Sequence, residues 1–198
     1  MITSCDYLVI GSGSMANRHV ENLKRIFIDK VIGQVSGTER KINKDKYIAD
    51  ILYETIDDAI KIKPRFAIIA SPASYHLENA KECLDLDIPV LIEKPLSLDY
   101  STFKKYENFL LEKSSLIKVG YCLRYLPACQ ILRDIVRNDS LNFGKVVSII
   151  SEVGEFLPNW RPDRDYRTSV SAQKSLGGGA LLELSHEIDY LNWIFGKF

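Results

Sequence analysis

Short apolar runs alternate with helical segments along the first 120 residues of the chain. The runs are YLVI, VIGQVS, FAIIASP, IPVLIEKP and LIKVGY, and they lack a regular apolar and polar alternation. Such runs are typical of parallel strands that are buried on both faces. Helices are predicted between them, after YLVI and over residues 55–60 and 75–86. This repeated order predicts an α/β fold with an open, doubly wound parallel sheet over residues 1–120.

The pattern changes after Tyr121. A helix is predicted from Pro127 to Asn138, and the β-branched residues of GKVVSIISEVGEF predict a long strand of a different sheet. The next segment, LPNWRPDRDYRTSVSAQKSLGGG, has no periodicity and predicts an irregular loop. We therefore expect residues 121–198 to form the start of a second, α+β domain.

Charge and cysteine usage exclude several classes of function. Lys and Arg together number 26, as do Asp and Glu, so we predict no binding to nucleic acid or to an anionic membrane. Four cysteines lie in apolar segments without CxxC spacing, which favours a reduced, cytoplasmic protein without a metal site: Cys5, Cys83, Cys122 and Cys129. No apolar run approaches the roughly 20 residues of a membrane-spanning helix, and no leader precedes the first strand. We expect neither membrane insertion nor secretion.

A glycine turn follows the first strand and opens the first helix. It reads GSGSMA, the G-x-G-x-x-A form of the dinucleotide-binding fingerprint. Gly11 allows the tight turn, Gly13 lets the backbone approach a diphosphate, and Ala16 lets helix and strand pack closely. Unpaired N–H groups of the first helical turn, which contains Ser14 and Met15, would face the phosphates. We therefore predict that NAD(P) binds here, and a purely structural turn is the alternative.

The end of the second strand bears on the choice between NAD and NADP. An Asp or Glu that binds the ribose hydroxyls of NAD normally stands there, whereas this chain has Ser36. Ser36, Thr38 and Arg40 are candidates to hold the 2′-phosphate of NADP, while Glu39 is a candidate to bind a ribose. The pattern slightly favours NADP, and a solvated, charged turn is the alternative.

Two more loops reach the carboxyl edge of the predicted sheet, where open α/β proteins bind ligands. Ser71 and Pro72 end the third run, and His76 lies in the next helical turn as either a ligand contact or a surface residue. Glu93 and Lys94 follow the fourth run. An ammonium group in a partly dry cleft lowers the pKa of a substrate hydroxyl and holds its oxygen, so Lys94 is a candidate for catalysis. A solvated loop lysine is the alternative.

The last segment, GGGALLELSHEIDYLNWIFGKF, predicts an amphipathic helix. At 100° per residue, one face carries Leu181, Leu184, Ile188, Leu191 and Phe195. His186 points nearly opposite, beside Glu183 and Tyr190, so it faces either water or a cleft. Its ordinary pKa, about 6.5, suits proton transfer, and Asp189 one turn later is predicted to orient or tune the ring.

Five motifs in a fixed order give the chain a family resemblance. They are Gly11-x-Gly13-x-x-Ala16-x-x-His19, Ser71-Pro72 with His76, Glu93-Lys94-Pro95, Arg124-Tyr125-x-Pro127, and GGG-ALLELS followed by His186-x-x-Asp189. On these residues the chain resembles the Gfo/Idh/MocA oxidoreductase family over nearly its whole length. The resemblance implies an N-terminal Rossmann domain joined to an α+β domain with a large open sheet.

The resemblance also implies a reaction, which is hydride transfer between NAD(P) and a carbinol of a sugar, nucleotide sugar or polyol. Lys94 would contact the nicotinamide ribose and the substrate hydroxyl, and His186 would be the acid/base. Residues implied to bind or support the substrate are Glu183, Asp189, Arg124, Tyr125 and Tyr190. The chain departs from the pattern in one place, because the family usually has an Asp four residues before the histidine, where Leu182 stands here. Either the loop is one residue shorter and Glu183 takes the place of the Asp, or the acidic partner is lost.

The family's second domain continues beyond the position of the final helix, so we expect this chain to be C-terminally truncated. Its last helix would then expose apolar surface. Two alternatives to an active dehydrogenase follow, namely an inactive NAD(P)-binding module and one half of a split enzyme. A homo-oligomer is a further possibility for its assembly.

Overall fold

The structure, a computed structural model, describes residues 4–39, 47–138, 142, 144–160, 165–174 and 177–196. The chain divides into two compact units, Met1–Gly120 and Tyr121–Phe198.

A six-stranded parallel sheet forms the centre of the first unit. Its strands are β1 (Tyr7–Ile10), β2 (Ile32–Val35), β3 (Ile51–Leu52), β4 (Phe66–Ile69), β5 (Val90–Ile92) and β6 (Ile117–Val119). They lie in the order β3-β2-β1-β4-β5-β6, and every pair is parallel. The predicted α/β fold with a doubly wound sheet is confirmed. Strand β3 was missed because two residues are too short to produce a hydrophobic pattern.

Four helices connect these strands: α1 (Ser14–Ile26), α2 (Ile56–Lys61), α3 (His76–Asp85) and α4 (Tyr100–Glu112). Two of them begin at a residue whose side chain caps the helix. The Thr55 hydroxyl accepts from the Asp58 N–H at 3.1 Å, and the Asp99 carboxylate accepts from the Thr102 N–H at 2.7 Å. Such caps satisfy N–H groups that have no acceptor inside the helix. The helices predicted after β1 and over 55–60 and 75–86 are confirmed.

Apolar side chains fill both faces of the sheet. Successive residues of a strand point to opposite faces, so Leu8 and Ile10 pack with α2 and α3, whereas Val9 packs with α1. These three side chains are completely buried. Burial on both faces explains why the strands read as continuous apolar runs. It also anchors the loops at the carboxyl edge on a rigid base.

The second unit is helical in its described part, with α5 (Pro127–Asn138), α6 (Leu157–Trp160), α7 (Ala180–Glu183) and α8 (Ser185–Phe195). Helix α5 packs on α8. The Arg133 guanidinium lies 4.5 Å from the centroid of the Trp193 ring, and Arg137 donates to the backbone carbonyls of Trp193 and Ile194. The predicted bounds of α5 are confirmed.

The predicted strand over GKVVSIISEVGEF is wrong for this structure. Residues 144–156 belong to no strand, and the described part of the second unit contains no sheet. A strand is stable only when its backbone N–H and C=O groups pair with a neighbour, and no described segment of this unit pairs with it in that way. Val147 and Ile150 are therefore 94% and 91% exposed despite their β propensity.

The predicted C-terminal helix is interrupted. Leu184 separates α7 from α8, so the face drawn through residues 181–195 as one helix is not continuous. Leu181 and Ile188 on that face are 68% and 45% exposed. Ile194, outside the predicted face, is the buried residue because α8 turns this side towards α5.

Candidate functional site

The glycine turn has the geometry that its sequence predicts. Gly11 has a φ of +150°, and a Cβ built there would lie 2.5 Å from the Ala70 carbonyl oxygen, so this position requires glycine. Ala16 is fully buried against the sheet. Gly13 differs, because its φ is −88° and a Cβ added there would meet no described atom within 4 Å. The space above Gly13 is open at the start of α1.

Helix α1 also begins differently from α2 and α4. Gly13 is its N-cap, and within the described residues no side chain caps it and no acidic residue lies in its first turn. Ser14 and Met15 are exposed there. The helix therefore presents backbone N–H groups and a positive dipole end to the open space, which is the usual arrangement for binding a phosphate.

The loop after β2 follows the same carboxyl edge. The Ser36 hydroxyl donates to the Thr38 carbonyl oxygen at 2.9 Å and accepts from the Thr38 N–H at 3.3 Å. These contacts fold the loop into a local turn. Glu39 is exposed, and the predicted contact Arg40 lies outside the described residues.

The loop after β4 is tied to its neighbours by Asn79 of α3. The Asn79 amide donates to the Ser71 hydroxyl at 2.9 Å and to the Gly37 carbonyl at 3.1 Å. Ser71 is buried, while Pro72 is partly exposed. Asn79 therefore joins the loops after β2 and β4 at the ligand edge of the sheet.

His76 does not match one of the two interpretations offered for it. Its ring is 1% exposed, so it is no surface residue. Nδ1 lies 2.8 Å from the Pro95 carbonyl oxygen, and Nε2 lies 2.8 Å from the Ser71 carbonyl oxygen. Burial lowers the pKa of His76, although the two carbonyls and nearby Glu93 act in the opposite direction. Both ring nitrogens thus lie against carbonyl oxygens of the fold, and the cofactor contact of His76 stays a prediction.

Glu93 forms an ion pair with a residue of the glycine-turn helix. His19 Nε2 lies 2.7 Å from Glu93 Oε1, and both side chains are 15% exposed. Glu93 Oε2 accepts from the backbone N–H of Lys94 at 3.2 Å. Burial, the largest single cause, would raise the pKa of Glu93, but His19, the Lys94 N–H and nearby His76 together outweigh it and the pKa is lowered. Glu93 is thus held as a carboxylate directly before Lys94.

Lys94 lies between β5 and a cis peptide bond to Pro95, and its side chain is partly exposed. The described strands are parallel, so the loops after β1, β2, β4 and β5 all begin at the same edge of the sheet, the carboxyl edge. The sheet therefore gathers Gly13, Ser36, Ser71 and Lys94 from distant parts of the sequence.

The second unit contains the other predicted site residues. The half-buried His186 ring meets the edge of Tyr121, with 5.6 Å between the ring centroids and an interplanar angle of 86°. Asp189, which the sequence predicts to orient or tune the His186 ring, forms a bidentate pair with Arg124. Arg124 Nε donates to Oδ2 at 2.8 Å and Nη2 donates to Oδ1 at 2.5 Å. This pairing raises the pKa of Arg124.

The other predicted substrate residues of the second unit, Tyr125, Tyr190 and Glu183, have fewer contacts that fix their side chains. Tyr125 is 78% exposed. The Tyr190 hydroxyl lies 3.4 Å from the Ser151 hydroxyl. The hydrogen bond with Ser151 lowers the pKa of Tyr190, but Glu187 and burial raise it, and the net result is a raised pKa. Glu183 follows the triple glycine and is partly exposed.

Sequence reasoning missed two residues that shape the site, Gln34 and Asn79, and it named His19 only as part of a motif, without its contact to Glu93. Gln34 is completely buried in β2, and its amide donates to the Gly11 carbonyl at 3.0 Å. A polar residue inside an apolar strand was the available signal for Gln34. His19 had a weaker signal, because only the fold brings it to Glu93, 74 residues later.

The parallel sheet and the uncapped glycine turn are typical of a dinucleotide-binding α/β domain. Residues 5–121 match the model of the Gfo/Idh/MocA oxidoreductase family, described as having an NAD-binding Rossmann fold. The chain belongs to this family, which confirms the predicted resemblance.

Several known proteins are similar to this chain. An uncharacterized oxidoreductase of Synechocystis is 30% identical over 65% of the chain and 33% of the relative. Inositol 2-dehydrogenase of Rubrobacter xylanophilus is 26% identical over 93% of the chain and 50% of the relative. The crystal structure of scyllo-inositol dehydrogenase from Lactobacillus casei, with bound NAD(H) and scyllo-inositol, superposes with a TM-score of 0.74 at 20% identity. That match covers 98% of this chain and 57% of the other.

These matches therefore span between a third and about half of the relatives' own length. Across the part of the chain that the structure describes, no helix is both long and apolar enough to cross a membrane.

Proposed function

We propose that this chain takes part in NAD(P)-dependent hydride transfer at a CH–OH group of a sugar, nucleotide sugar or polyol. The observation that carries the proposal is the open, uncapped start of α1 at Gly13, on the same sheet edge as Lys94. The similarity to inositol 2-dehydrogenase supports the class of substrate.

The residues at the edge fit a nicotinamide dinucleotide. The first N–H groups of α1 would hold its diphosphate, and Gly13 leaves room for it because it lacks a side chain. When bound, the nicotinamide accepts or gives the hydride, which is the chemistry that the protein itself cannot supply. Ser36 and Thr38 would lie near the adenosine ribose. We propose a slight preference for NADP, because Ser36 stands where NAD-specific proteins place a carboxylate.

Lys94 and His186 are the proposed chemical groups of the reaction. The Lys94 ammonium donates a hydrogen bond to the substrate hydroxyl, which lowers the pKa of that hydroxyl and favours its oxyanion. His186 takes the hydroxyl proton during oxidation and returns it during reduction. Arg124 holds Asp189, and this pair keeps the short turn before α5 against α8, the helix that carries His186. Tyr125, Tyr190 and Glu183 remain candidates for the substrate's other hydroxyls.

Changing Gly13→Ser tests the proposed diphosphate site. Serine is a good N-cap, so this variant should be as stable as wild type or more stable by a few tenths of a kcal/mol. Its hydroxyl occupies the open space and accepts from N–H groups that the diphosphate needs. We expect the Kd for NADH and NADPH, measured by fluorescence titration, to rise by about tenfold or more, since charge-assisted hydrogen bonds contribute roughly 1.5–3 kcal/mol.

Gly154→Ser is the matched control, because a Cβ there also meets no described atom within 4 Å. It should leave both Kd values unchanged. Equal binding by Gly13→Ser and wild type would refute the site. Turnover is tested with a panel of inositols, hexoses and nucleotide sugars, where Lys94→Ala should abolish reduction of NAD(P). Cofactor binding without turnover of any substrate would favour the alternative, a binding module without activity.

A further inference from the structure

The backbone around Lys94 is held from two sides by histidines of two different helices. On one side, His19 of α1 binds Glu93, whose second carboxylate oxygen accepts from the Lys94 N–H. On the other side, the His76 ring at the start of α3 contacts the carbonyl oxygen of Pro95. The peptide N–H of Lys94 is therefore tied to His19 through Glu93, and the carbonyl of the next residue, Pro95, is in contact with His76.

The His19 side of this arrangement is well packed. The Glu93 carboxylate also lies against Gly120, where an added Cβ would be in ordinary contact with it at 3.5 Å. With both side chains 15% exposed, the pair between His19 and Glu93 is shielded from the screening that weakens surface ion pairs. The orientation of the carboxylate that faces the Lys94 N–H consequently depends on His19.

The His76 side joins two loops. The same ring that contacts Pro95 also contacts the Ser71 carbonyl, and Ser71 is bound in turn by Asn79. The loop after β5 is thereby connected through one buried ring to the loop after β4. A ring that is 1% exposed has little freedom to rotate, so it sets the position of the Pro95 carbonyl.

We propose that His19 and His76 are positioning residues, which clamp the main chain of Lys94 so that its ammonium is aimed for cofactor and substrate. The proposal rests on the proposed function, because it assumes that Lys94 contacts both. A lysine side chain has a flexible four-carbon stem, and precise placement of its ammonium therefore requires a fixed backbone. His19 adds a link, since it belongs to the helix whose first turn is proposed to hold the diphosphate.

A double-mutant cycle in the full chain tests the clamp. His19→Ala and Lys94→Ala are made singly and together, and the Kd for NADPH and NADH is titrated by fluorescence. We expect each single change to weaken binding by about five- to tenfold and the double variant to bind within about twofold of Lys94→Ala, because residues of one network are not additive. His19→Gln keeps a donor at the position of Nε2 and should restore most of the affinity.

Glu21→Gln, at an exposed position of α1, is the matched control and should leave affinity unchanged. Effects of His19 and Lys94 that multiply in the double variant would overturn the clamp, because they would act independently. An unchanged Kd in Lys94→Ala would instead contradict the proposed function of Lys94.

Amide hydrogen exchange of the protein without cofactor gives a readout that does not depend on that function. The Lys94 N–H should exchange about tenfold faster in His19→Ala than in wild type, and His76→Gln should accelerate exchange in the loops after β4 and β5. Exchange at Leu8, in the centre of the sheet, reports whether the whole fold has been weakened. An unaltered Lys94 exchange rate in His19→Ala would overturn the clamp even if cofactor binding changed.

Discussion

The two units of this chain differ in how completely they bury their apolar side chains. In the first unit the sheet is covered on both faces, and its central side chains are completely buried. In the second unit Ile194 is the one fully buried large apolar side chain among the described residues, while Val147 and Ile150 are almost fully exposed. Both units are rich in β-branched residues, so composition alone does not create a core. A strand buries its side chains only where partner strands and helices surround it.

The largest effect that would distinguish the units is expected from a core truncation. Ile69 lies in β4, between β1 and β5, and is completely buried, so Ile69→Ala should lower the free energy of unfolding by about 3 kcal/mol. Ile150→Ala is the control in the second unit and should change it by less than about 0.5 kcal/mol. Urea denaturation followed by circular dichroism measures both. A large loss in Ile150→Ala would show that residues 144–156 are packed in solution.

Glycine substitutions give the next largest contrast. Gly11→Ala places a Cβ against the Ala70 carbonyl at a φ of +150°, and we expect it to lower stability by about 2 kcal/mol. Gly154→Ala in the second unit meets no described atom and should be neutral or slightly stabilising. Melting temperatures of the two variants test this difference. Equal stability of Gly11→Ala and wild type would contradict the tight approach of the turn to Ala70, the residue after β4.

The ion pair between Arg124 and Asp189 tests whether the second unit has a specific contact of its own. Asp189 is 11% exposed, whereas Arg124 is 42% exposed, so solvent screens part of the attraction. Asp189→Asn should therefore cost only about 1 kcal/mol of unfolding free energy, and a cycle with Arg124→Ala should recover most of this as coupling.

Arg167→Ala is the control for that cycle, because the pair of Arg167 with Asp165 is exposed on both sides. It should have no measurable effect. Additive losses from Arg124→Ala and Asp189→Asn would mean that the bidentate contact does not hold α5 against α8.

The smallest effect concerns pH and the burial of His76 in the first unit. Burial lowers the pKa of His76 in the folded protein. Just below about pH 6.5, His76 is therefore protonated in the unfolded chain but still mostly neutral in the folded protein. Stability then falls as the pH decreases from about 6.5 towards the folded pKa, by at most about 1.4 kcal/mol per pH unit for one proton. His76→Gln should remove this part of the slope between pH 7.5 and 5.5 in denaturant titrations. Glu78→Gln, exposed on the same helix, should keep it.

Much of the first unit was predictable because its signals are local. The apolar runs, the helix that starts at Ser14 and the Thr55 cap each depend on neighbouring residues. The candidate site was predictable in outline for the same reason, since Gly11, Gly13 and the Glu93-Lys94 pair follow strand ends. Two predictions failed, namely a strand that needs distant partners and a single C-terminal helix, which is broken at Leu184. The surface alternative for His76 failed as well, because the residue is buried.

The sequence by itself determined the parallel α/β sheet, the glycine turn at Gly11 and the family, because strand length, helical period and turn chemistry are written in consecutive residues. Only the tertiary structure decided which polar side chains meet. In the folded chain His19 pairs with Glu93, and the His76 ring lies between the Ser71 and Pro95 carbonyls. Asp189 forms its ion pair with Arg124. These partners lie far apart along the chain or on different turns, and side-chain hydrogen bonds depend on where packing brings their atoms in space.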